Sequence, residues 1–225
     1  NIVITTDENV LSFESINMNN YKLTLGSEAS DLSIANSVTI DSSSEGIITG
    51  DADFVLSGSI SASSGVLSST GGIISFVGGG QVSNSGSIDV TNSNWNLGGD
   101  FVKSGGTLTI LGTDLDLSSN ITVTSDEPLS FVEMQLNDYT LTLGSGTSDL
   151  TIENALTVDS STEGIVTGNA DLILENVFNI SSGRVTSTSG EIVFSLGGEI
   201  SGTAELDLTG STFELGGDLV NSGEG

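Results

Sequence analysis

The 225-residue chain sets 30 Asp and Glu against three basic residues, Lys22, Lys103 and Arg184, for a formal net charge of −27, and it has 30 Gly, one Pro, no His and no Cys. A surface this acidic excludes a nucleic-acid partner, which needs clustered Lys or Arg, and disfavours insertion into or onto anionic lipid. Apolar residues still reach 36%, too rich in aliphatic and β-branched side chains for disorder, and no apolar run approaches the roughly 18 residues of a membrane span.

Read from the N-terminus, the chain is a succession of short alternating triplets. Leu23-Thr24-Leu25, Leu32-Ser33-Ile34 and Val38-Thr39-Ile40 come first, then Ile88-Asp89-Val90, Leu108-Thr109-Ile110 and Leu115-Asp116-Leu117. Alternation of period two puts both apolar side chains of a triplet on one face and the Ser, Thr or Asp between them on the other. Strands are therefore predicted, while helical spacing is nowhere sustained and the many Gly, Asn and β-branched residues oppose it.

The segment Asn19-Asn20-Tyr21-Lys22-Leu23-Thr24-Leu25-Gly26-Ser27 returns as Asn137-Asp138-Tyr139-Thr140-Leu141-Thr142-Leu143-Gly144-Ser145, 118 residues on. Residues 19–56 and 137–174 share 24 of 38 positions without a gap. Such self-similarity predicts two tandem copies, 1–119 and an incomplete 120–225, within one continuous solenoid over 1–225. The chain begins and ends inside repeat sequence, which suggests an internal segment of a longer protein.

A shorter period lies inside the long one. Gly79-Gly80 is followed by Gly98-Gly99, and Gly197-Gly198 by Gly216-Gly217 at the same interval. Three strands joined by short turns would fill a coil of about 19–20 residues, and six coils would fill the long repeat. The expected fold is all-β: a parallel, right-handed, three-sided β-helix rather than an antiparallel sandwich, whose hairpin unit suits neither the short connections nor this period. Gly26, Gly50, Gly79, Gly80, Gly98 and Gly99, with Gly144, Gly168, Gly197, Gly198, Gly216 and Gly217, are expected at corners where φ is positive.

With these Gly-Gly corners and Leu-Thr-Leu triplets, the chain resembles the repeat regions of filamentous-haemagglutinin-like and other giant repetitive bacterial adhesins. The resemblance implies a secreted, surface-attached β-helix whose rod carries a binding tip away from the cell. The secretion domain of such proteins, with its Asn-Pro motif, is absent here, where the one proline is Pro128.

Candidate chemistry is sparse. Asp51 with Asp53, and Asp114 with Asp116, lie two residues apart and would share a strand face, as a pair of hydrolytic carboxylates must, yet Asp51 becomes Asn169 in the second copy. Oxygen-rich clusters suited to Ca²⁺ recur at Asp7-Glu8 and Asp126-Glu127, at Asp41 with Glu45 and Asp159 with Glu163, and at Asp53 and Asp171. Solvated acid is the expected reading, with weak Ca²⁺ binding as its rival; Gly144 to Leu150 only partly echoes a Ca²⁺-binding nonapeptide. Thr122 and Thr124 suggest an ice-binding Thr-x-Thr face that the varied outward residues do not sustain. Trp95 with Phe213, and Tyr21 with Tyr139, are read as packing residues rather than a sugar platform.

No catalytic, cofactor-binding or metal-ligating residue is therefore assigned. The expected function is a structural spacer in an extracellular bacterial surface adhesin or filament, without catalysis. Any host glycan or protein would be engaged by parts outside this segment, and end-to-end self-association is open to it. The competing reading is a polysaccharide-binding or polysaccharide-degrading β-helix.

Overall fold

The computed structural model describes residues 1–5, 10–26, 31–146, 149–159 and 164–223, with the backbone alone described at 42–45. Every regular element among them is a β-strand, and the strands pair in parallel. Parallel pairing between segments roughly one coil apart in sequence defines the β-solenoid that the triplets predict. The chain divides into two compact units, Asn1–Asp114 and Leu115–Gly225.

In the C-terminal unit the three sides are separate ladders. One runs through Ile121–Ser125, Leu141–Leu143, Gly164–Gly168, Arg184–Ser187 and Glu205–Asp207. The second joins Leu129–Phe131, Leu150–Ile152, Leu172–Leu174, Glu191–Phe194 and Thr212–Leu215. Leu156–Val158, Phe178–Ile180, Gly198–Ile200 and Leu219–Asn221 make the third. In the N-terminal unit pairing also runs through several corners, so Leu32–Gly50, Ser59–Ser69, Gly80–Asp89 and Phe101–Thr109 are long strands with register shifts at the bends.

The coils are longer than the Gly-Gly interval suggests. Ile2, Leu23, Ile47, Leu67, Ile88 and Leu108 stand in register, in steps of 21, 24, 20, 21 and 20. In the second unit Ile121, Leu141, Ile165, Val185 and Leu206 follow with 20, 24, 20 and 21. Five coils thus run from Ile2 to Leu108, and what remains of the repeat is too short for a sixth. The Gly-Gly marks mislead because they are not equivalent positions: Gly80 pairs with Phe101, whereas the marks would set it against Gly99.

Inward positions follow the predicted parity. Leu23 and Leu25, Leu32 and Ile34, Phe54 and Leu56, and Trp95 and Leu97 are buried while the residues between them are half-buried. Each fully buried Leu, Ile or Phe contributes about 1.5–3 kcal/mol, and no coil can bury its face alone. Aromatic rings join successive coils. Phe76 stands edge-on to Phe54 and to Trp95, each with centroids 6.1 Å apart, and Trp95 meets Phe101 at 5.0 Å. In the other unit Phe194 lies between Phe178 at 4.1 Å and Phe213 at 5.2 Å.

Of the twelve glycines expected at positive φ, four adopt it: Gly50, Gly79, Gly168 and Gly197. A different constraint acts at Gly80 and Gly198, which sit in strands directly above Ile60 and Phe178. A Cβ on Gly80 would lie 2.6 Å from the Ile60 carbonyl oxygen, and one on Gly198 would lie 2.5 Å from the Phe178 ring. These two positions require the absence of a side chain, not a left-handed backbone. Some left-handed turns use Asn or Asp instead of Gly, at Asn19-Asn20 and again at Asn137-Asp138 in the two copies, since a short polar side chain tolerates that region.

Candidate functional site

The acidic residues are the groups most able to recognise a ligand, and those with described partners bond mainly to neighbouring coils. Asp31 accepts the Asp53 N–H through Oδ1 at 3.1 Å, and Asp53 Oδ1 accepts the N–H of Ile73 at 2.7 Å. The second copy repeats the relay: Asp149 takes the Asp171 N–H at 3.4 Å and Asp171 that of Glu191 at 2.6 Å. Each carboxylate satisfies a donor at the entrance of the next strand, before Phe54 and Ile74 in one copy and Leu172 and Ile192 in the other. A carboxylate that accepts backbone N–H bonds is held to one orientation.

The pairing of Asp51 with Asp53 on a strand face is not observed. Asp51 lies in a turn, where its Oδ1 accepts the Thr70 hydroxyl at 3.2 Å, and Asp53 precedes the strand and is occupied as above. Asp114 and Asp116 do share the outward side of the strand Asp114–Leu117, whose Leu115 and Leu117 point inward. There Asp116 accepts the Asn137 amide at 3.1 Å, and the same amide donates to the Leu117 carbonyl at 3.0 Å.

Of the clusters considered for Ca²⁺, Asp7, Glu8 and Glu163 and the side chain of Glu45 lie outside the described residues, as do Thr147 and Ser148. Asp41, Asp126, Glu127 and Asp159 are exposed. Among the described residues no group of three or more acidic side chains converges with the geometry to hold a metal ion. Asp159 does share a shallow polar depression of about 490 Å³ with Gln135, Asn137, Asp138 and Thr157.

Two further carboxylates bond along their own turns. Asp89 Oδ1 accepts both the hydroxyl of Thr91 at 2.6 Å and its N–H at 3.1 Å, and Asp207 does the same with Thr209 at 2.7 and 3.2 Å. The Thr209 hydroxyl and N–H, with the nearby Arg184 guanidinium, hold the Asp207 carboxyl below its ordinary range. Arg184 also reaches Glu205 at 3.2 Å, and both pairs are solvent-exposed.

Trp95 is fully buried, as the packing reading requires, whereas Tyr21 is exposed and Tyr139 half-buried. Thr122 and Thr124 point outward on Ile121–Ser125, but above Thr122 the column continues as Thr142, Val166, Thr186 and Asp207.

Sequence reading missed two features. Lys103, taken as one of three scattered cations, is only 2% exposed; it stands two residues after the buried Phe101 and so shares its inward parity, a signal that was present. The second is a set of buried hydroxyls at the corners. Ser93 Oγ donates to Ser69 Oγ at 3.1 Å, Ser69 Oγ to the Gly71 carbonyl at 2.6 Å and Thr113 to the Val90 carbonyl at 2.7 Å. Ser211 and Ser187 repeat the hydroxyl pair at 2.7 Å. In a chain so rich in Ser and Thr, nothing local marks these as inward.

Comparison with protein-family models, with curated proteins and with solved structures finds no match.

Proposed function

We propose that this chain is a non-catalytic spacer in an extracellular bacterial surface adhesin or filament, and that its work is mechanical. The observation that carries the reading is the twice-repeated relay Asp31–Asp53–Ile73 and Asp149–Asp171–Glu191. Asp53 and Asp171, two carboxylates that a cation site would aim at a ligand, here tie one coil to the next. Parallel ladders on two or three sides join each coil to the next, so parting two coils breaks several backbone bonds at once. The formal charge of −27 keeps neighbouring molecules apart in dilute salt and supports solubility.

A panel of acidic and neutral polysaccharides, assayed for binding and for release of reducing ends, tests this reading against a carbohydrate-active one. The spacer predicts neither. Saturable binding or chain cleavage that is lost on replacing Asp116 or Asp159 would overturn it.

A further inference from the structure

The internal duplication supplies a control for the junctions between coils. In the first copy the coil that carries Ile2–Ile4 joins the next on three sides: Ile2–Ile4 pairs Leu23–Leu25, Leu11 and Phe13 face Leu32 and Ile34, and Ser15, Ile16 and Asn17 face Ser37, Val38 and Thr39. In the second copy the equivalent junction is paired on two sides, where Ile121–Ser125 holds Leu141–Leu143 and Leu129–Phe131 holds Leu150–Ile152. On the third, Met134–Gln135 pairs among the described residues only with Leu115 and Asp116 behind it, and Leu156–Val158 starts a ladder of its own. The bond that the Met18 N–H donates to the Thr39 carbonyl at 3.1 Å has no equivalent between Leu136 and Thr157. Every later junction of this unit is paired on three sides.

The sequence accounts for the difference. Ile16 and Val38, β-branched and opposite each other in the first copy, become Met134 and Leu156, whose unbranched Cβ favours a strand less. The turn that follows is tied backward, because Asn137 gives its amide to Asp116 and to the Leu117 carbonyl. At the unpaired side lies the polar depression of Gln135, Asn137, Asp138, Thr157 and Asp159, while Leu136, Leu156 and Val158 stay buried beneath it. The core is intact under a side where the two backbones are not joined.

We propose that this third side is a hinge. The two paired ladders hold the coils together while the open side gapes and closes, and it is the place in the C-terminal unit where neighbouring coils part first. Backbone bonds beside it lack the support of a third ladder, and its exposed polar lining gives up no apolar burial as the gap widens. In a spacer such a joint localises bending to one junction, and the order of opening holds whether or not the chain serves as a spacer.

Hydrogen exchange followed residue by residue by NMR, in urea too dilute to unfold the chain, provides the test. One backbone bond recurs at successive junctions of this unit, donated by Glu153 to Phe131, by Glu175 to Ile152 and by Ser195 to Leu174, at 2.9, 3.0 and 2.9 Å. Glu153 and Asn154 border the open side, and their N–H groups are expected to be protected at least about tenfold less than those of Glu175 and Ser195 and to respond to urea earlier. Equal protection would overturn the proposal. The chain has no cysteine, so Gln135→Cys with Thr157→Cys, at the counterparts of the registered pair Asn17 and Thr39, bridges the open side on oxidation. The bridge should raise the protection of Glu153 and Asn154 to that of Glu175, and reduction should reverse it. A bridge that forms without that effect would show that the open side does not govern the junction, and one that never forms would show a fixed cleft instead of a hinge; either result also overturns the proposal. Circular dichroism of the reduced variant checks that it folds, and the wild-type comparison decides the matter if it does not.

Discussion

The carboxylate of Asp53 accepts the backbone N–H of Ile73 at 2.7 Å, one coil further along, and Asp171 does the same for Glu191 at 2.6 Å. The relation is duplicated with the repeat, so each member predicts the behaviour of the other. Asp53→Ala and Asp171→Ala should each destabilise the protein by about 1.5 kcal/mol, the lower end for a hydrogen bond to a charged group because both sites are partly solvated. Asp→Asn, which keeps an acceptor oxygen, should recover most of the loss. Urea unfolding monitored by circular dichroism measures both, and an alanine variant as stable as wild type would show that the relay does not hold the coils together.

Phe76 touches the rings of Phe54, Trp95 and Phe101. Phe76→Ala should destabilise by about 3–5 kcal/mol, as for other buried aromatics. Phe13→Ala, at an exposed site, should change stability by less than about 1 kcal/mol. Thermal unfolding of the two variants beside wild type measures the contrast.

Two glycines separate the two reasons for glycine in this fold. Gly50→Ala meets open space at a φ of 62° and should lower stability by about 1 kcal/mol through backbone strain alone. Gly80→Ala meets the backbone and side chain of Ile60, so the coils must part and the loss should be larger. Melting temperatures of the two variants rank the two effects.

Asp207 gives the pH prediction. Its carboxyl is held below the ordinary value of 3.8 chiefly by the Thr209 side chain and N–H, with Arg184 assisting. A depressed folded-state value means that the contribution to stability is complete above 3.8 and is lost as pH falls through the folded value. Thr209→Ala should raise the Asp207 titration midpoint toward its ordinary value in carboxyl carbon NMR. A midpoint that does not move would show that Thr209 is not the cause.

The triplets made the fold legible because a strand with one buried face writes its parity directly into the sequence: Leu23-Thr24-Leu25 is buried, half-buried, buried in the structure. Register was not legible. Coil length varies because corners accept extra residues without disturbing the inward columns, so the long steps from Leu23 to Ile47 and from Leu141 to Ile165 carry no local mark. The acidic positions could be read as recurrent but not as structural, since Asp53 and Ile73 are linked by a register known only once the coils are stacked. Lys103 shows the reverse case: its inward parity, two residues after Phe101, is legible although a lysine is seldom found inside.

A spacer must hold fixed distances without help from a bound ion or ligand. Asn17, Thr39, Ser61, Gln81 and Val102 form one outward column in successive register, which at the strand spacing of about 4.8 Å per coil puts Asn17 and Val102 about 19 Å apart. The chain has no cysteine, so Asn17→Cys with Val102→Cys takes two spin labels and no others. Double electron–electron resonance should give one narrow distance distribution near that value, identical with EDTA, with excess Ca²⁺ and with added polysaccharide. A broad distribution, or one that sharpens or shifts when Ca²⁺ or a polysaccharide is added, would contradict the spacer and make this segment a ligand-responsive one.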